Sequence, residues 1–295
     1  MTQSYDGPAL VAQNKIVVIP PGGVAKVAQT LAHEGVIAHP LVFRAAAWWT
    51  RHNGTLKAGE YLFPAHASLR HILEILRAGI EVQHQATIPE GLTSAQIAAL
   101  INQLPEAAGQ IAPPPEGSVL PQTYDYVRGA SRSVILARMQ AAMRHTVQAL
   151  WAQRAESVVQ TPDQAVVLAS IVQQETPLVA QMPMVAAVYE NRLRLGMKLQ
   201  ADPTVIYTLT QGQQSAGVKL TASDLQTDSP YNTYMYGGLP PGPICAPGVA
   251  ALQAVLHPAQ TSALYFISMQ DGTHRSVFAD TLAQQDANIR RYLVK

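Results

Sequence analysis

Apolar and polar positions change period several times along the chain. Three segments close a short apolar run on a proline: Val18-Ile-Pro-Pro-Gly-Gly-Val24, Leu62-Phe-Pro-Ala-His-Ala-Ser68 and Thr87-Ile-Pro-Glu-Gly-Leu-Thr93. Eight residues past Pro20, Pro64 and Pro89 stand Ala28, Ile72 and Ile97, and three further on stand Leu31, Ile75 and Leu100. Such pairs share one helical face. The pattern predicts a weak internal repeat of strand, polar turn and amphipathic helix, with Ser68 and Thr93 as helix caps. Small strand-helix-helix-strand modules have this form. Trp48 and Trp49, in an apolar helical stretch, are expected in the core, with stacking on sugar rings as the alternative.

Further along, Ile111-Ala-Pro-Pro-Pro-Glu-Gly117 reads as an extended surface loop. A long helix is predicted from Ser131 through Ile135, Met139, Met143, Val147 and Leu150 to Trp151. A second opens on Thr161-Pro162, carries Val167, Leu168, Ile171 and Val172, and is stopped by Pro177. A third runs from about Pro183 to Leu195, ended by Gly196. Tyr231 to Gly248 holds too much Gly and Pro for a regular helix, and Leu264-Tyr-Phe-Ile267 is a short strand candidate.

With 295 residues, 48% of them hydrophobic, the chain can bury a sizeable core and is expected to form one or two domains. Only 13% of residues are charged and the net charge is +1, which is not the footprint of a nucleic-acid binder. A single cysteine, Cys245, can form no internal disulfide and excludes zinc sites that need two thiolates; it is read as a small apolar filler. The nine histidines lack HExxH spacing, His66 and His71 read as surface residues, and no P-loop or GxGxxG stretch occurs. These patterns give no support for a metal, a nucleotide or a dinucleotide. No apolar run approaches the roughly 18 residues of a membrane helix, so a soluble chain is expected. Met1 to Gln13 is polar and aperiodic, more like a tail or cut linker than a signal peptide.

Glu175 is the most informative residue. Helical spacing puts it one turn beyond Ile171 and Val172 and two beyond Leu168, on the apolar stripe, with Gln173 and Gln174 pointing elsewhere. A carboxyl held among aliphatic side chains has a raised pKa and can keep a proton to donate near neutral pH. The plainer alternative is a glutamate at a helix end that reaches back to water. In Leu199-Gln-Ala-Asp-Pro-Thr-Val-Ile-Tyr207, Asp202 is expected to cap a short helix starting at Pro203, with Gln200 and Tyr207 nearby. Tyr231-Asn-Thr-Tyr234 and Gly237-Gly-Leu-Pro-Pro-Gly242 form a polar, aromatic loop, either structural or lining a carbohydrate cleft.

These segments, in this order, resemble the MltG (YceG-like) family of endolytic murein transglycosylases. The matching stretches are Leu168 to Thr176, Val188 to Met197, Leu199 to Tyr207, Tyr231 to Tyr234 and Gly238 to Gly242. Leu56 to Tyr61, Ile88 to Thr93 and Leu120 to Tyr124 also fit, so the likeness runs from about Ile16 to the C-terminus. It implies an α+β protein: a tail over residues 1–15, a small LysM-like module over 16–85 and a larger mixed α/β catalytic domain over 86–295. It implies cleavage of the bond from N-acetylmuramic acid to N-acetylglucosamine within a peptidoglycan strand, without water, metal or cofactor. One glutamate protonates the leaving oxygen and then takes the proton of the muramoyl 6-hydroxyl as a 1,6-anhydro ring closes.

Carried onto matching positions, Glu175 is the acid and base. Gln200, Asp202, Thr204, Tyr207, Asn232 and Tyr234 are candidates to hold substrate or orient it, with Asn191 and Arg192 as supports. Glycan strands are the implied partner, peptidoglycan synthases (penicillin-binding proteins) a further one, and the periplasmic face of the inner membrane the implied location. Two departures stand out. Family members commonly carry a second acid where this chain has Gln173, and the family's N-terminal membrane anchor is missing, as in a trimmed or released form. A hydrolytic muramidase, with Asp202 as second carboxylate, and a non-catalytic peptidoglycan-binding scaffold are the competing readings.

Overall fold

The computed structural model describes residues 5–6, 12–214, 218–269 and 271–293. Most of the expected tail, residues 1–4 and 7–11, lies outside the described residues. The chain divides into two compact units, and it passes from one to the other between Gln85 and Ala86.

The first unit comprises residues 1–85 with two short returns, 106–108 and 125–130. Strand β1 (Lys15–Ile19) leads through α1 (Val24–His33) and α2 (Pro40–Trp49) to β2 (Gly59–Phe63), which pairs antiparallel with β1 and sets Val17 opposite Tyr61. Val17, Ile19, Tyr61 and Phe63 alternate inward onto Leu31 and Phe43, so the expected strand-helix-helix-strand module is present. Helix α3 (Leu69–Ala78) follows, its N-terminus capped by Ser68, whose hydroxyl accepts from the His71 amide, and its end turned by Gly79 at φ +66°. The returns are tied in by charge. Glu60, a buried carboxylate, meets His84 at 2.6 Å and Arg128 at 3.3 Å, and Arg128 also reaches Glu106 at 2.6 Å.

One expectation fails here. Trp48 and Trp49 are not core residues: they are 62% and 76% exposed. Helix α2 buries Phe43 and Ala47 instead, and the tryptophans fall on the opposite side of the cylinder.

Strand β3 (His84–Thr87) pairs with β4 (Thr123–Tyr126), and between them α4 (Ser94–Asn102) starts on a capping box made by Thr93 and Gln96. The second unit is mostly helical. Helix α5 (Arg132–Ala152) buries Ile135, Met139, Met143 and Val147 on the predicted stripe. Helix α6 (Pro162–Glu175) is capped by Thr161, and every residue from Ala165 to Val172 is buried. It packs against α5, α7 (Met182–Arg194), α8 (Asp202–Thr210) and α9 (Val249–Leu256). A helix apolar on all sides is stable only when surrounded, which is how α6 becomes the axis of this core. The chain ends in the antiparallel ribbon β5 (Tyr265–Ser268) and β6 (Ser276–Ala279), then α10 (Leu282–Tyr292). Among the described residues the sheets are all two-stranded, so the expected α+β character takes the form of a mostly helical fold with small ribbons. No described helix is long and apolar enough to cross a membrane.

Candidate active site

Glu175 is the last residue of α6, where the extended backbone of Thr176 and then Pro177 stop the helix. Its carboxyl therefore emerges from a helix buried on all sides, at the negative end of that helix's dipole. Burial pushes its pKa up to about 7; a hydrogen bond from Tyr189 opposes the shift, the nearby Asp202 charge adds to it, and Arg192 opposes it. The residue remains partly open to solvent, as a proton donor to a substrate must be. The flanking glutamines turn away as expected. Gln173 accepts the Gly248 amide at 2.9 Å, and Gln174 donates to the Gly91 carbonyl at 2.6 Å.

Tyr189, buried on α7, donates its phenolic proton to Glu175 Oε1 at 2.6 Å and packs edge-on against Phe266 at 5.9 Å between ring centroids. Three residues along the same helix face, Arg192 donates to the carbonyls of Leu264 (2.7 Å), Lys198 (3.3 Å) and Leu199 (2.8 Å) and to Gln200 Oε1 (3.4 Å). Its guanidinium also lies over the Tyr265 ring. This fan shapes the turn that enters α8. There Gln200 is exposed and adopts left-handed backbone, φ +52°. Such a conformation is uncommon outside Gly, Asn and Asp, and here Arg192 and the Thr233 carbonyl hold it.

Asp202 does not cap α8. The N-cap position is Ala201, and Asp202, in the first turn, accepts the Tyr234 hydroxyl at 2.6 Å. Burial and this carboxylate raise the Tyr234 phenol's pKa, so it stays a donor. Glu175, Tyr189, Arg192, Asp202 and Tyr234 thus form one electrostatically coupled group, with Gln200 beside it.

Other sequence candidates sit in the scaffold around this group. Thr204 is fully buried, donating to the Ala201 carbonyl at 2.7 Å and lying 2.9 Å from Thr233 Oγ1. Asn232 is also fully buried: its amide donates to Leu225 and Thr227 carbonyls and its oxygen accepts the Tyr234 amide. Both fix the loop that presents Tyr234. Asn191 ties the 261–263 segment through two carbonyls and accepts from Arg194. Cys245 is fully buried, its thiol donating to the Ser170 carbonyl and pushed up to about 12 by burial, so it fills space.

Tyr207 belongs to a second cluster. It packs at a tilt against Tyr231, ring centroids 4.9 Å apart, and its hydroxyl reaches Glu116 Oε2 at 3.4 Å. Glu116 also accepts from the Ser94 amide (2.8 Å) and hydroxyl (3.1 Å), and burial raises its pKa. Sequence reasoning placed Glu116 in an exposed Pro-rich loop and gave Tyr189 no role. Tyr189 could have been found from its i, i+3 spacing to Arg192. Glu116 carries no such signal, since its partners are 22 and 91 residues away. No His, Cys, Asp and Glu cluster suited to a metal ion occurs among the described residues.

Comparison with known proteins gives concordant matches. The profile of the family described as "YceG-like family" matches residues 17–291. An endolytic murein transglycosylase of Bacillus subtilis is 37% identical over 126 residues, which is 43% of this chain and 33% of the relative. One of Streptococcus pneumoniae is 27% identical over 325 aligned positions, covering 94% of this chain and 58% of the relative. The chain therefore spans between 33% and 58% of the length of these curated relatives. The crystal structure of a yceG-like protein from Listeria monocytogenes superposes with a TM-score of 0.58 at 27% identity, covering 94% of this chain and 99% of that one.

Proposed function

The chain belongs to the YceG-like family, and from that premise we propose that it is an endolytic lytic transglycosylase of peptidoglycan with Glu175 as its catalytic acid and base. The observation that carries the proposal is a carboxyl at the end of a buried helix, raised to about 7 by burial and gripped through one oxygen by Tyr189. Near neutral pH a large share of such a group holds its proton. It donates that proton to the glycosidic oxygen between N-acetylmuramic acid and N-acetylglucosamine, the bond to the muramoyl C1 breaks, and positive charge develops on the sugar ring. The carboxylate so formed accepts the proton of the muramoyl 6-hydroxyl while its oxygen bonds to C1. Proton and electron pairs balance without water, and the cleaved end is a 1,6-anhydro sugar. Gln200, Asp202 and Tyr234 are proposed to hold the strand, with Tyr207 beyond them, while Arg192, Asn191, Thr204 and Asn232 hold these groups in place. The expected setting is the periplasmic face of the inner membrane, on nascent strands beside penicillin-binding synthases.

Asp202, whose charge acts on Glu175, keeps a hydrolytic muramidase as the second reading, in which water captures the same cation. Digestion of purified glycan strands in heavy-oxygen water separates the two. Anhydro ends free of heavy oxygen are expected; reducing ends carrying it would make the enzyme a hydrolase, and strand binding without products would make it a scaffold.

A further inference from the structure

The outward face of α2 has no use in the chemistry above, and it gathers four large apolar side chains on one short helix. Leu41, Val42, Trp48 and Trp49 are 73%, 44%, 62% and 76% exposed. At about 100° per residue their side chains fall within an arc of roughly 120°, opposite the buried Phe43 and Ala47. Large apolar side chains gathered on a convex surface mark an interaction site rather than scattered exposure. Arg44 and Arg51 border one edge of the arc, and Arg51 lies over the Trp48 ring at 4.6 Å.

Charge identifies the partner. From Gly35 to Gly59 there is no Asp or Glu, while Arg44, Arg51 and Lys57 are cations and His39 and His52 add to them at low pH. Glu34, just before this stretch, is engaged by Lys15 at 3.0 Å. Tryptophans flanked by arginine on a helix that presents its apolar face outward suit the boundary between lipid headgroups and acyl chains. The indole rings are amphipathic and settle at headgroup depth, while each cation near an anionic surface strengthens binding roughly five-fold. A sugar-stacking platform would instead need carboxylates or carboxamides beside the rings to bond hydroxyl groups; Asn53 is the sole such residue between Gly35 and Gly59.

We infer that the outer face of α2 seats the first unit on the surface of a bilayer containing anionic phospholipid, with Leu41, Trp48 and Trp49 inserted at headgroup depth and Arg44 and Arg51 against lipid phosphates. The contact is peripheral and sensitive to salt.

The test is co-sedimentation of the full chain with phosphatidylglycerol vesicles and with phosphatidylcholine vesicles, at low and high ionic strength, with tryptophan emission recorded alongside. Binding to phosphatidylglycerol with a blue shift in emission is expected, together with little binding to phosphatidylcholine and weakening by salt. Trp48→Ser/Trp49→Ser should lower the affinity at least ten-fold. Arg44→Glu/Arg51→Glu should do the same and flatten the salt dependence. All four positions are exposed, so the thermal melt should stay unchanged. Failure to bind anionic vesicles at low salt, or binding untouched by either double substitution, would overturn the inference. So would loss of glycan-strand binding in Trp48→Ser/Trp49→Ser with no vesicle binding in the parent, which would make the face a sugar platform.

Discussion

Tyr189 donates its phenolic proton to Glu175 Oε1 at 2.6 Å, across two helices and 14 residues of sequence. The bond does two opposing things. It favours the ionised carboxylate, and it leaves the other oxygen as the one that can carry a proton toward substrate. Burial outweighs it, so the Glu175 pKa is pushed up from the ordinary 4.5 to about 7. Tyr189 itself is driven well above the usual phenol range by burial and by the Glu175 charge, so it remains a donor throughout the working range.

Tyr189→Phe removes a bond worth about 1.5 kcal/mol to a charged acceptor. Because that bond lowers the Glu175 pKa, its loss raises it. Activity requires the acid form and falls as pH rises through the pKa, so the fall should move to higher pH in the variant. The rate on its acid-side plateau should drop about ten-fold. A pH profile of glycan cleavage for both proteins checks this; an unshifted profile contradicts it.

The same raised pKa predicts a gain in stability on disarming the site. In the unfolded chain Glu175 titrates near 4.5 and in the folded protein near 7, so the native state holds more protons between these values. Below about pH 4.5 both states are protonated and there is no penalty. From there the ionised form costs the fold progressively more until about pH 7, and the loss is then constant. Glu175→Gln should raise the melting temperature at pH 8, by an amount equivalent to about 1–3 kcal/mol, and the gain should fade toward pH 4.5. Thermal melts of the two proteins across that range measure it; a gain that does not depend on pH contradicts the assignment of the buried charge.

Arg192→Lys tests the support around Gln200. A lysine cannot reproduce a fan that reaches Leu264, Lys198, Leu199 and Gln200 at once, and it leaves buried carbonyls short of donors. A destabilisation of about 1–3 kcal/mol is expected, with KM rising more than kcat falls, since the turn that presents Gln200 and Asp202 loosens. Steady-state kinetics and denaturant titration check it; wild-type values for both would remove Arg192 from its supporting role.

Much of this was legible in the chain because it rests on local rules. The Thr161-Pro162 start, the Pro177 stop and the apolar run through Leu168, Ile171 and Val172 define α6, and counting along it brings Glu175 to the buried face. The caps at Ser68 and Thr93 were equally local. What escaped depends on contacts distant in sequence. Nothing near Glu116 tells that Ser94 and Tyr207 will enclose it, and nothing in Ala45-Ala-Ala-Trp-Trp49 tells which side of α2 the strands will cover. Asp202 was misjudged for a related reason: Asp before Pro favours capping, but a tyrosine 32 residues on takes its carboxylate. The helices of the second unit were equally local, opening at Ser131, Thr161-Pro162 and near Pro183, but the sheet sizes were not, because a short strand such as Tyr265–Ser268 does not reveal how many partners it will find.

The central claim is that Glu175 is the acid and base of strand cleavage. Its most direct measurement is mass spectrometry of the products from purified glycan strands incubated with the parent protein and with Glu175→Gln, whose carboxamide keeps the shape and cannot donate the proton. Strand fragments ending in 1,6-anhydromuramic acid should form with the parent and fall by at least a hundred-fold with the variant. Undiminished formation of those ends by Glu175→Gln would contradict the account.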